Sequence, residues 1–484
     1  MYLECLEPRA QLTFAQLDRA CHRVGHLLAA HGVRPGDRVA VLSDNCAELV
    51  VLFLGILRYG AVVTALNVEV SLRNLPQILH DVEPRLVFWN RAAPAELASI
   101  VAAATEALSF GPHGDDLFAR LETFPVSPPA GRHVDAEAIG VIDYTSGTTA
   151  TPKGVCISHR AFWLMGDAMA DRLGLGEADR MLDYRVLSWA SPQVMSFGPT
   201  LLAGASYVLA RRFSHRRFFQ WIREHGITVS IGVPAVLNML LDRPLDVDRG
   251  QLPSLKFITS SSAPLAVDRQ REFERRYGIP VVQMCGMTEA GVMAGNPPAA
   301  PRAGSIGPPL KHLQAWFVDE AGSVCPPGQE GELCVRGPQL ATAYLTGRGV
   351  LEGIPHDGFR TGDVGYRDAD GYLYLTGRKK DLIIRGGVNI APAEITATLL
   401  AHEAVADAAT IGVRDPIYGE AVVSFVAFRP GSAPGEVELR QHCRTRLSDF
   451  KLPARIVVVE AIPRTERGKI ARDRLLALAG LDSA

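Results

Sequence analysis

The stretch TSGTTATPKG at residues 145–154 carries the densest set of groups that could hold phosphate. Hydroxyl side chains and glycine follow one another directly, with a lysine close behind: Thr145, Ser146, Gly147, Thr148, Thr149 and Lys153. Glycine lets the backbone approach a ligand, so N–H groups and hydroxyls can surround phosphate oxygens while the ammonium offsets their charge. The spacing is not that of the G-x-x-x-x-G-K-[ST] loop. The stretch predicts a phosphate site, with an ordinary polar turn as the alternative.

Further motifs follow in the chain. They are CGMTE at 285–289, FRTGD at 359–363, GRKKDLIIRGGVNIAPAEI at 377–395 and PRTERGK at 463–469. Together with the phosphate loop, this ordered set resembles the adenylate-forming superfamily, which includes acyl-CoA and aryl-CoA ligases, peptide-synthetase adenylation domains and luciferases. The resemblance spans nearly the whole chain and is strongest to a stand-alone acyl-CoA synthetase.

The resemblance implies a two-step reaction. ATP activates a carboxylic acid to an acyl-adenylate with release of pyrophosphate, and the acyl group then passes to a thiol, for which coenzyme A is the expected acceptor. ATP and Mg²⁺ are the implied cofactors. Transfer to a carrier-protein phosphopantetheine, transfer to a non-thiol acceptor and a non-catalytic adenylate-binding module stay open as alternatives. The complete motif set argues against the last, since a module freed from catalysis need not keep it.

Adenylation brings two anions together, so it depends on positioning and positive charge. The resemblance assigns Lys469 to this step, where its ammonium would bridge the acid carboxylate and the α-phosphate. It assigns Glu289 to Mg²⁺, an ion that shares oxygen ligands with nucleotide phosphates. Thr288 would donate to the α-phosphate, and a helix N-cap is the alternative for this residue.

Nucleotide contacts are implied for two further regions. Asp363 could accept both ribose hydroxyls, and Arg378 lies where family members contact ribose or phosphate. The positions expected to line the adenine are Ser261, Ser262, Ala263, Cys285 and Gly286. Cys285 replaces a stacking aromatic residue, and a buried unreactive thiol is favoured over a reactive one.

The acid pocket departs from the family pattern. Many acyl- and aryl-CoA ligases carry an aromatic–His pair where this chain has Trp189 and Ala190, so the histidine is absent. Gly286 is also expected to border the acid. Trp189 either walls an aromatic or alicyclic acid or belongs to the core. Arg185 could pair with a second anionic group on the acid, but a solvated arginine is favoured.

A hinge and a thiol channel are implied by the motif at 377–395. Lys380 falls where family members rotate the C-terminal domain between half-reactions, a change that a few residues can absorb. Gly386 and Gly387 resemble the loop that lines the pantetheine tunnel, where glycine permits close approach. A plain tight turn is the alternative for this pair. The sequence therefore predicts two domains, 1–379 and 381–484, on either side of the hinge.

The elements that must position these groups alternate between apolar strands and helical patterns. The pattern predicts a helix at 47–59 and strands at 39–43, 61–65, 86–89, 207–210, 228–233, 257–260 and 281–284. From about residue 295, dense Pro and Gly with paired short strands indicate a smaller β unit. The predicted fold class is α/β: a large N-terminal domain with two α/β sheet units and that β unit, plus a mobile small C-terminal α+β domain.

Bulk composition argues against several classes of partner. The 484 residues hold 50 Lys and Arg against 52 Asp and Glu, so net charge gives no reason to expect nucleic acid or a membrane surface. The long apolar stretch 49–66 is interrupted by Arg58 and Gly60, which disfavours a membrane span. Eight scattered cysteines without a C-x-x-C pair, and a first segment without a secretory pattern, favour the cytoplasm.

Overall fold

The computed structural model describes residues 1–68, 74–111, 116–129, 134–145, 153–385, 388–415, 417–465 and 470–480. Over these residues the chain forms two large sheets, a small antiparallel sheet and a separate C-terminal sheet. The predicted α/β class is confirmed, with a large multi-sheet N-terminal domain and a smaller C-terminal one.

The described residues form short strands along the whole chain. In chain order these are β1 (Leu3–Leu6), β2 (Arg9–Leu12), β3 (Arg38–Leu42), β4 (Val62–Leu66), β5 (Leu86–Asn90), β6 (Ala107–Phe110), β7 (Ile139–Thr145), β8 (Lys153–Ser158), β9 (Arg180–Asp183), β10 (Ser206–Leu209), β11 (Val229–Ser230), β12 (Phe257–Ser260), β13 (Val281–Met287), β14 (Gly291–Gly295), β15 (Gln314–Val318), β16 (Gly331–Arg336), β17 (Ala343–Gly347), β18 (Val350–Gly353), β19 (Phe359–Arg367), β20 (Leu373–Arg378), β21 (Ile383–Arg385), β22 (Val388–Ile390), β23 (Val405–Asp415), β24 (Gly419–Phe428) and β25 (Arg455–Val458).

The helices of the same residues alternate with many of these strands. They are α1 (Phe14–Ala30), α2 (Ala47–Tyr59), α3 (Leu75–Val82), α4 (Ala95–Ala104), α5 (Leu117–Glu122), α6 (His159–Leu173), α7 (Ala190–Pro192), α8 (Gly198–Leu202), α9 (Phe218–Glu224), α10 (Pro234–Asp242), α11 (Val267–Tyr277), α12 (Pro392–Leu400), α13 (Glu436–Arg444) and α14 (Arg472–Leu478). A π-helical turn spans Gln193–Phe197, and 3₁₀ turns span Arg249–Gln251, Lys379–Asp381 and Asp449–Lys451. None of the described helices is long and apolar enough to cross a membrane.

The first large sheet has the strand order β14-β13-β12-β11-β9-β10-β1-β2. Neighbours from β13 to β1 pair in parallel, and only the edge strands β14 and β2 are antiparallel among the described residues. The carboxyl ends of β9, β12 and β13 therefore lie along one edge of the sheet. Ligands of open parallel sheets bind at that edge, so residues that follow these strands can meet there.

The second large sheet has the order β18-β17-β8-β7-β4-β3-β5-β6. Its half from β7 to β6 is parallel, whereas each neighbouring pair along β7, β8, β17 and β18 is antiparallel. The antiparallel half contains the hairpin of β7 and β8, which holds both ends of the predicted phosphate loop.

Helices packed between the two large sheets fix their separation. Phe53 of α2 contacts Phe162 of α6 and Phe197, with ring centroids 5.9 Å and 5.4 Å apart. Val41 from the second sheet and Met181 from the first join the same core cluster. Because α2 is apolar around nearly its whole circumference, it needs cover on every side. The two sheets supply this cover, and their strand ends are held in a defined relation.

Two smaller sheets complete the chain. The order β15-β16-β19-β20 is fully antiparallel and corresponds to the predicted smaller β unit. The C-terminal sheet is formed by β21 to β25, with α12 and α13 packed on it. Between the N-terminal and C-terminal domains, Arg429 Nη1 lies 3.6 Å from Asp242 Oδ1 at the end of α10. The Asp242 carboxylate also pairs with Arg269 at 2.5 Å.

Most predicted elements agree with the structure. The helix predicted at 47–59 is α2, ended by Gly60 at φ 87°, and the strand predicted at 257–260 is β12. The strand predicted at 228–233 is shorter, because only Val229–Ser230 pairs. Gly232 lies against a neighbouring strand, where a Cβ would stand 2.3 Å from the Thr259 carbonyl oxygen, and Pro234 then begins α10. The chain therefore leaves the ladder early.

Candidate active site

The predicted phosphate loop connects the two strands of the β7–β8 hairpin. Thr145 at the end of β7 pairs with Lys153 at the start of β8. Ser146, Gly147, Thr148 and Thr149 lie outside the described residues, as does the side chain of Thr145. The Lys153 side chain is exposed, and its Nζ lies 5.7 Å from the centroid of the Tyr344 ring. The hairpin therefore presents an ammonium beside the loop.

Glu289 lies in the turn between β13 and β14. Its Oε1 accepts a hydrogen bond of 2.9 Å from the Tyr344 hydroxyl, and its backbone oxygen accepts one of 2.7 Å from the Ala341 N–H. Burial and the Glu289 charge raise the pKa of the Tyr344 phenol, so it remains a donor at neutral pH. Thr288 precedes β14 rather than a helix, so the N-cap alternative is wrong.

Gly286 forms the irregular position of the β13–β14 pair. The register shifts between Cys285 and Gly286, and a Cβ at Gly286 would stand 2.3 Å from the Gly291 carbonyl oxygen. Only glycine fits such an approach. The residue is exposed and lies at the carboxyl end of the parallel part of β13, next to the turn that carries Glu289.

Asp363 and Arg378 face each other across β19 and β20. Arg378 Nε lies 2.7 Å from Asp363 Oδ1, and the carboxylate is 4% exposed whereas the guanidinium is 42% exposed. The Asp363 N–H donates to Thr361 Oγ1 at 3.0 Å. A buried carboxylate needs a positive partner to remain ionised, and this arginine provides one while still reaching solvent. The pair can therefore offer both an acceptor and a cation to a ligand.

Burial raises the pKa of Cys285 to about 12. The charges of Asp363 and Arg378 act in opposite directions on the pKa of the Cys285 thiol, which Asp363 raises and Arg378 lowers. Since the thiolate is the nucleophile, the raised pKa disfavours reaction of this half-buried thiol at neutral pH. Its side chain also cannot stack on a base.

The serine segment follows β12, the strand beside β13. Ser260 pairs with Gln283, so Ser261 and Ser262 extend from the sheet edge beside Cys285. Ser261 is buried, with its hydroxyl 3.5 Å from the Met195 sulfur, whereas Ser262 and Ala263 are exposed. Ser262 has φ +73°, the left-handed region that favours glycine. Neighbouring strand ends thus bring together the residues predicted to line adenine.

Family models account for both domains. Residues 3–345 match the family described as AMP-binding enzyme, and residues 394–469 match the AMP-binding enzyme C-terminal domain. The chain belongs to the AMP-binding enzyme family. This confirms the adenylate-forming resemblance on which the site assignments depend.

Relatives of this AMP-binding enzyme cover nearly its whole length. It is 36% identical to sulfoacetate–CoA ligase of Cupriavidus necator over 96% of this chain and 92% of that protein. It is 32% identical to oxalate–CoA ligase of Arabidopsis thaliana over 95% of this chain and 92% of that protein. The crystal structure of ATP-bound MatB from Rhodopseudomonas palustris aligns with a TM-score of 0.90 and 28% identity, covering 98% of this chain and 94% of that one.

The segment predicted to border the acid, the acid segment (residues 184–197), follows β9 in this AMP-binding enzyme. Trp189 and Ala190, both half-buried, begin α7 and lead into the π-helical turn Gln193–Phe197. Such turns are often found at functional sites. Gln193 is fully buried, and its Nε2 donates to Asp143 Oδ1 at 3.0 Å and to the Leu187 carbonyl at 3.1 Å. The acid segment is thereby tied to β7, two residues before the phosphate loop begins.

Arg185 is buried, so the expectation of a solvated arginine is wrong. Its Nη2 lies 2.8 Å from Asp183 Oδ2 and its Nε 3.1 Å from Asp183 Oδ1, while Nη1 donates to Ser191 Oγ at 2.5 Å. Ser196 Oγ also donates to Asp183 Oδ2, at 2.6 Å. A buried charge is costly unless it is paired. The Asp183 carboxylate, two residues earlier, is the partner of this guanidinium. The arginine is therefore already neutralised.

The remaining predicted site residues lie in or near the C-terminal domain. Lys380 is exposed in the 3₁₀ turn Lys379–Asp381, between β20 of the small antiparallel sheet and β21 of the C-terminal sheet. Lys469, Gly386 and Gly387 lie outside the described residues. Their roles stay predictions.

Sequence reasoning missed three residues of the site region: Tyr344, Asp183 and Gln193. For Asp183 a signal existed, since the D-x-R spacing at the end of a strand places opposite charges within reach. Tyr344 stands 55 residues after its partner Glu289, and no local pattern links the two. Their contact depends on strand pairing between distant segments.

Proposed function

We propose that this AMP-binding enzyme is an AMP-forming acid–CoA ligase. In the first step the acid carboxylate attacks the α-phosphorus of ATP, and the bond to pyrophosphate breaks. In the second the thiol sulfur of coenzyme A attacks the acyl carbon, and AMP leaves. The observation that carries the proposal is that Tyr344 contacts both Glu289 and Lys153, the lysine of the predicted phosphate loop. The ion pair of Asp363 and Arg378 supports it. Relatives named CoA ligases support it over nearly the full chain.

The nucleotide is held by these groups together with the phosphate loop. Asp363 accepts the ribose hydroxyls while Arg378 keeps its carboxylate charged. The phosphate loop surrounds the phosphate oxygens, with Lys153 as the nearby cation and Thr288 as an added donor. The residues that line the base are Ser261, Ser262, Ala263, Cys285 and Gly286, with the base packed on backbone rather than stacked on an aromatic ring.

Glu289 fits a magnesium ion. Its carboxylate is half-buried, Oε1 is taken by Tyr344, and the described residues make no further hydrogen bond to Oε2. Mg²⁺ is usually held by one or two carboxylates together with substrate phosphates, so a single acidic side chain beside a phosphate loop suffices. When bound, Mg²⁺ neutralises phosphate charge, and Glu289 would hold it.

The segment 184–197 favours an acid with an apolar body over one with a second anionic group. Trp189 and Ala190 border its pocket, with Gly286 beside the reacting carboxylate. Within 184–197, all of which the structure describes, Arg185 is the sole cation, and Asp183 already compensates its charge. This segment therefore offers no free positive charge to a second anionic group. The relatives named for sulfoacetate and oxalate act on acids that carry a second anionic group.

Two domain orientations serve the two steps. The boundaries are 1–379 and 381–484, with Lys380 as the hinge, and the short turn between two separate sheets supports this division. Lys469 neutralises the reacting anions during adenylation. Gly386 and Gly387 line the path of the pantetheine arm during thioester formation. All eight cysteines are free, which suits a reducing cytoplasm.

The test measures pyrophosphate release with a panel of acids, each with and without coenzyme A. Benzoate, cyclohexanecarboxylate and hexanoate represent apolar monoacids, and oxalate and sulfoacetate represent dianions. We expect acid-dependent pyrophosphate release with the monoacids, and thioester and AMP only when coenzyme A is present. Adenylation without thioester formation would point to another acceptor, and a preference for the dianions would refute the acid class. No release with any acid would contradict the ligase proposal.

A further inference from the structure

Tyr344 touches two motifs that belong to different sheets. Its hydroxyl donates to Glu289, in the turn between β13 and β14 of the first large sheet, at 2.9 Å. Its ring lies under the ammonium of Lys153, at the start of β8 in the second large sheet, at 5.7 Å. Tyr344 itself is on β17, which belongs to the second sheet. One side chain therefore spans the groups proposed to act on the nucleotide phosphates.

Strand register explains the contact with Lys153. Tyr344 pairs directly with Val155 in the antiparallel pair of β17 and β8. Lys153 is two residues before Val155 and so projects from the same face of the sheet. Diagonal neighbours of this kind are within reach of aromatic and long side chains. A cation over an aromatic ring is also favourable in its own right.

The backbone before Tyr344 explains the contact with Glu289. The Ala341 N–H donates to the Glu289 carbonyl at 2.7 Å, and Gln339 Nε2 donates to the Ala290 carbonyl at 2.7 Å. Gln339 is fully buried. Thr342, the residue after Ala341, donates a hydrogen bond of 2.9 Å from its N–H to the Cys156 carbonyl of β8. The segment 339–344 is thus held against the acidic turn on one side and against β8 on the other.

We propose that Tyr344 is a positioning residue that sets the placement of Glu289 relative to Lys153 and thereby governs how the enzyme binds the magnesium–nucleotide complex. The inference rests on the proposed function, because it takes Glu289 as the magnesium carboxylate. By occupying Oε1, the phenol leaves Oε2 of Glu289 as the oxygen that would hold Mg²⁺. By supporting the ammonium, the ring keeps the lysine beside the phosphate loop.

The hydroxyl and the ring have separable effects. Tyr344→Phe removes the donor and keeps the ring, whereas Tyr344→Leu removes both. Binding of α,β-methylene-ATP, measured by calorimetry in Mg²⁺ and in EDTA, reports on them without turnover. We expect Tyr344→Phe to weaken binding about tenfold in Mg²⁺, on the scale of one lost charge-assisted hydrogen bond, and to leave binding in EDTA unchanged. Tyr344→Leu should weaken binding in both conditions, since Lys153 loses its support as well.

Tyr372→Phe is the matched control. This tyrosine also donates a hydrogen bond, to the Ala300 carbonyl at 3.1 Å, and also carries a cation over its ring, Arg302 at 3.9 Å. It contacts neither Glu289 nor Lys153. Its loss should leave analogue binding unchanged with and without Mg²⁺.

A double mutant tests whether Tyr344 acts through Glu289. Once Glu289→Gln has removed the carboxylate charge, adding Tyr344→Phe should cost nothing further in Mg²⁺. An equal loss for Tyr344→Phe in Mg²⁺ and EDTA, or full additivity of the two changes, would overturn the proposal. If Tyr344→Phe does not fold, Glu289→Asp shortens the carboxylate arm in a partly exposed turn, and undiminished Mg²⁺ coupling there would overturn it too. None of these arms needs the acid or coenzyme A, so failure of the ligase proposal shows separately, as wild-type protein that releases no pyrophosphate.

Discussion

The regions proposed to bind the nucleotide (the nucleotide side) and the acid (the acid side) use polar groups in opposite ways. On the nucleotide side, Glu289, Arg378 and Lys153 keep exposed or half-exposed polar atoms at strand ends, where a ligand can meet them. On the acid side, Arg185 and Gln193 are buried and bonded to Asp183 and Asp143. Polar groups that are already bonded to one another stabilise a shape, whereas those that face solvent can bind. The role of a charged residue in a predicted site therefore depends on the partner that the fold gives it.

The largest expected effect tests the acid side as a structural unit. Asp183→Ala would leave the Arg185 guanidinium buried without its partner, and removing one member of a buried pair costs about 3–5 kcal/mol of unfolding free energy. Urea unfolding measures this loss. Asp44→Ala is the control, because its partner Arg211 is 43% exposed and such pairs contribute about 0–1 kcal/mol. Equal losses in the two variants would break the comparison between the two sides.

The next effect should change chemistry without changing the fold. Lys469→Ala removes a cation proposed to act on the adenylation transition state, so kcat for acyl-AMP formation should fall about 10²–10³-fold. Thioester formation from preformed acyl-AMP and the thiol should stay near wild type. Single-turnover assays of each half-reaction measure the contrast. Lys451→Ala, which removes a lysine paired with Glu394 at 2.6 Å in the same domain, controls for lost surface charge.

A loss in both half-reactions of a folded Lys469→Ala protein would contradict its proposed role. Normal adenylation in that variant would do the same.

A smaller effect is expected for the ribose pair. Asp363→Ala removes the proposed acceptor for the ribose hydroxyls, and a lost charge-assisted hydrogen bond corresponds to about 1.5–3 kcal/mol of ATP binding. Arg378 can return to solvent, so stability should suffer less than in Asp183→Ala. Calorimetric ATP titration and urea unfolding separate the two. Asp368→Ala, at the opposite end of the same hairpin and paired with Arg302 at 2.9 Å, should bind ATP like wild type. Unchanged affinity in Asp363→Ala would remove the ribose assignment.

The smallest effect concerns backbone strain on the nucleotide side. Ser262 has φ +73°, and glycine adopts that region without the steric cost that a Cβ adds. Ser262→Gly should therefore raise the unfolding free energy by up to about 1 kcal/mol while leaving ATP binding intact. Ser254→Gly provides a comparison at a serine without positive φ. A destabilised Ser262→Gly variant would show that the serine side chain, rather than its strain, decides stability.

The sequence predicts local features of this chain well and non-local ones poorly. Helix α2 agrees with its prediction because an uninterrupted apolar run ends at a glycine suited to positive φ. Strand β11 is shorter than predicted because its exit is caused by close packing against Thr259 on another strand. The nucleotide motifs are recognisable because their residues are contiguous. Arg185 and Tyr344 depend on partners that only the folded chain brings close, so their identities alone do not reveal their surroundings.

The contact between Arg429 and Asp242 makes ionic strength a variable for this enzyme. The two groups are 3.6 Å apart, about 40% exposed, and belong to different domains. A pair of this kind contributes at most about 1 kcal/mol, which would shift the proposed equilibrium between two domain orientations about fivefold. Dissolved ions screen exposed charges over about 8 Å at physiological strength and over shorter distances in concentrated salt. Added salt should therefore redistribute the population of domain orientations while leaving the buried Asp183–Arg185 pair intact.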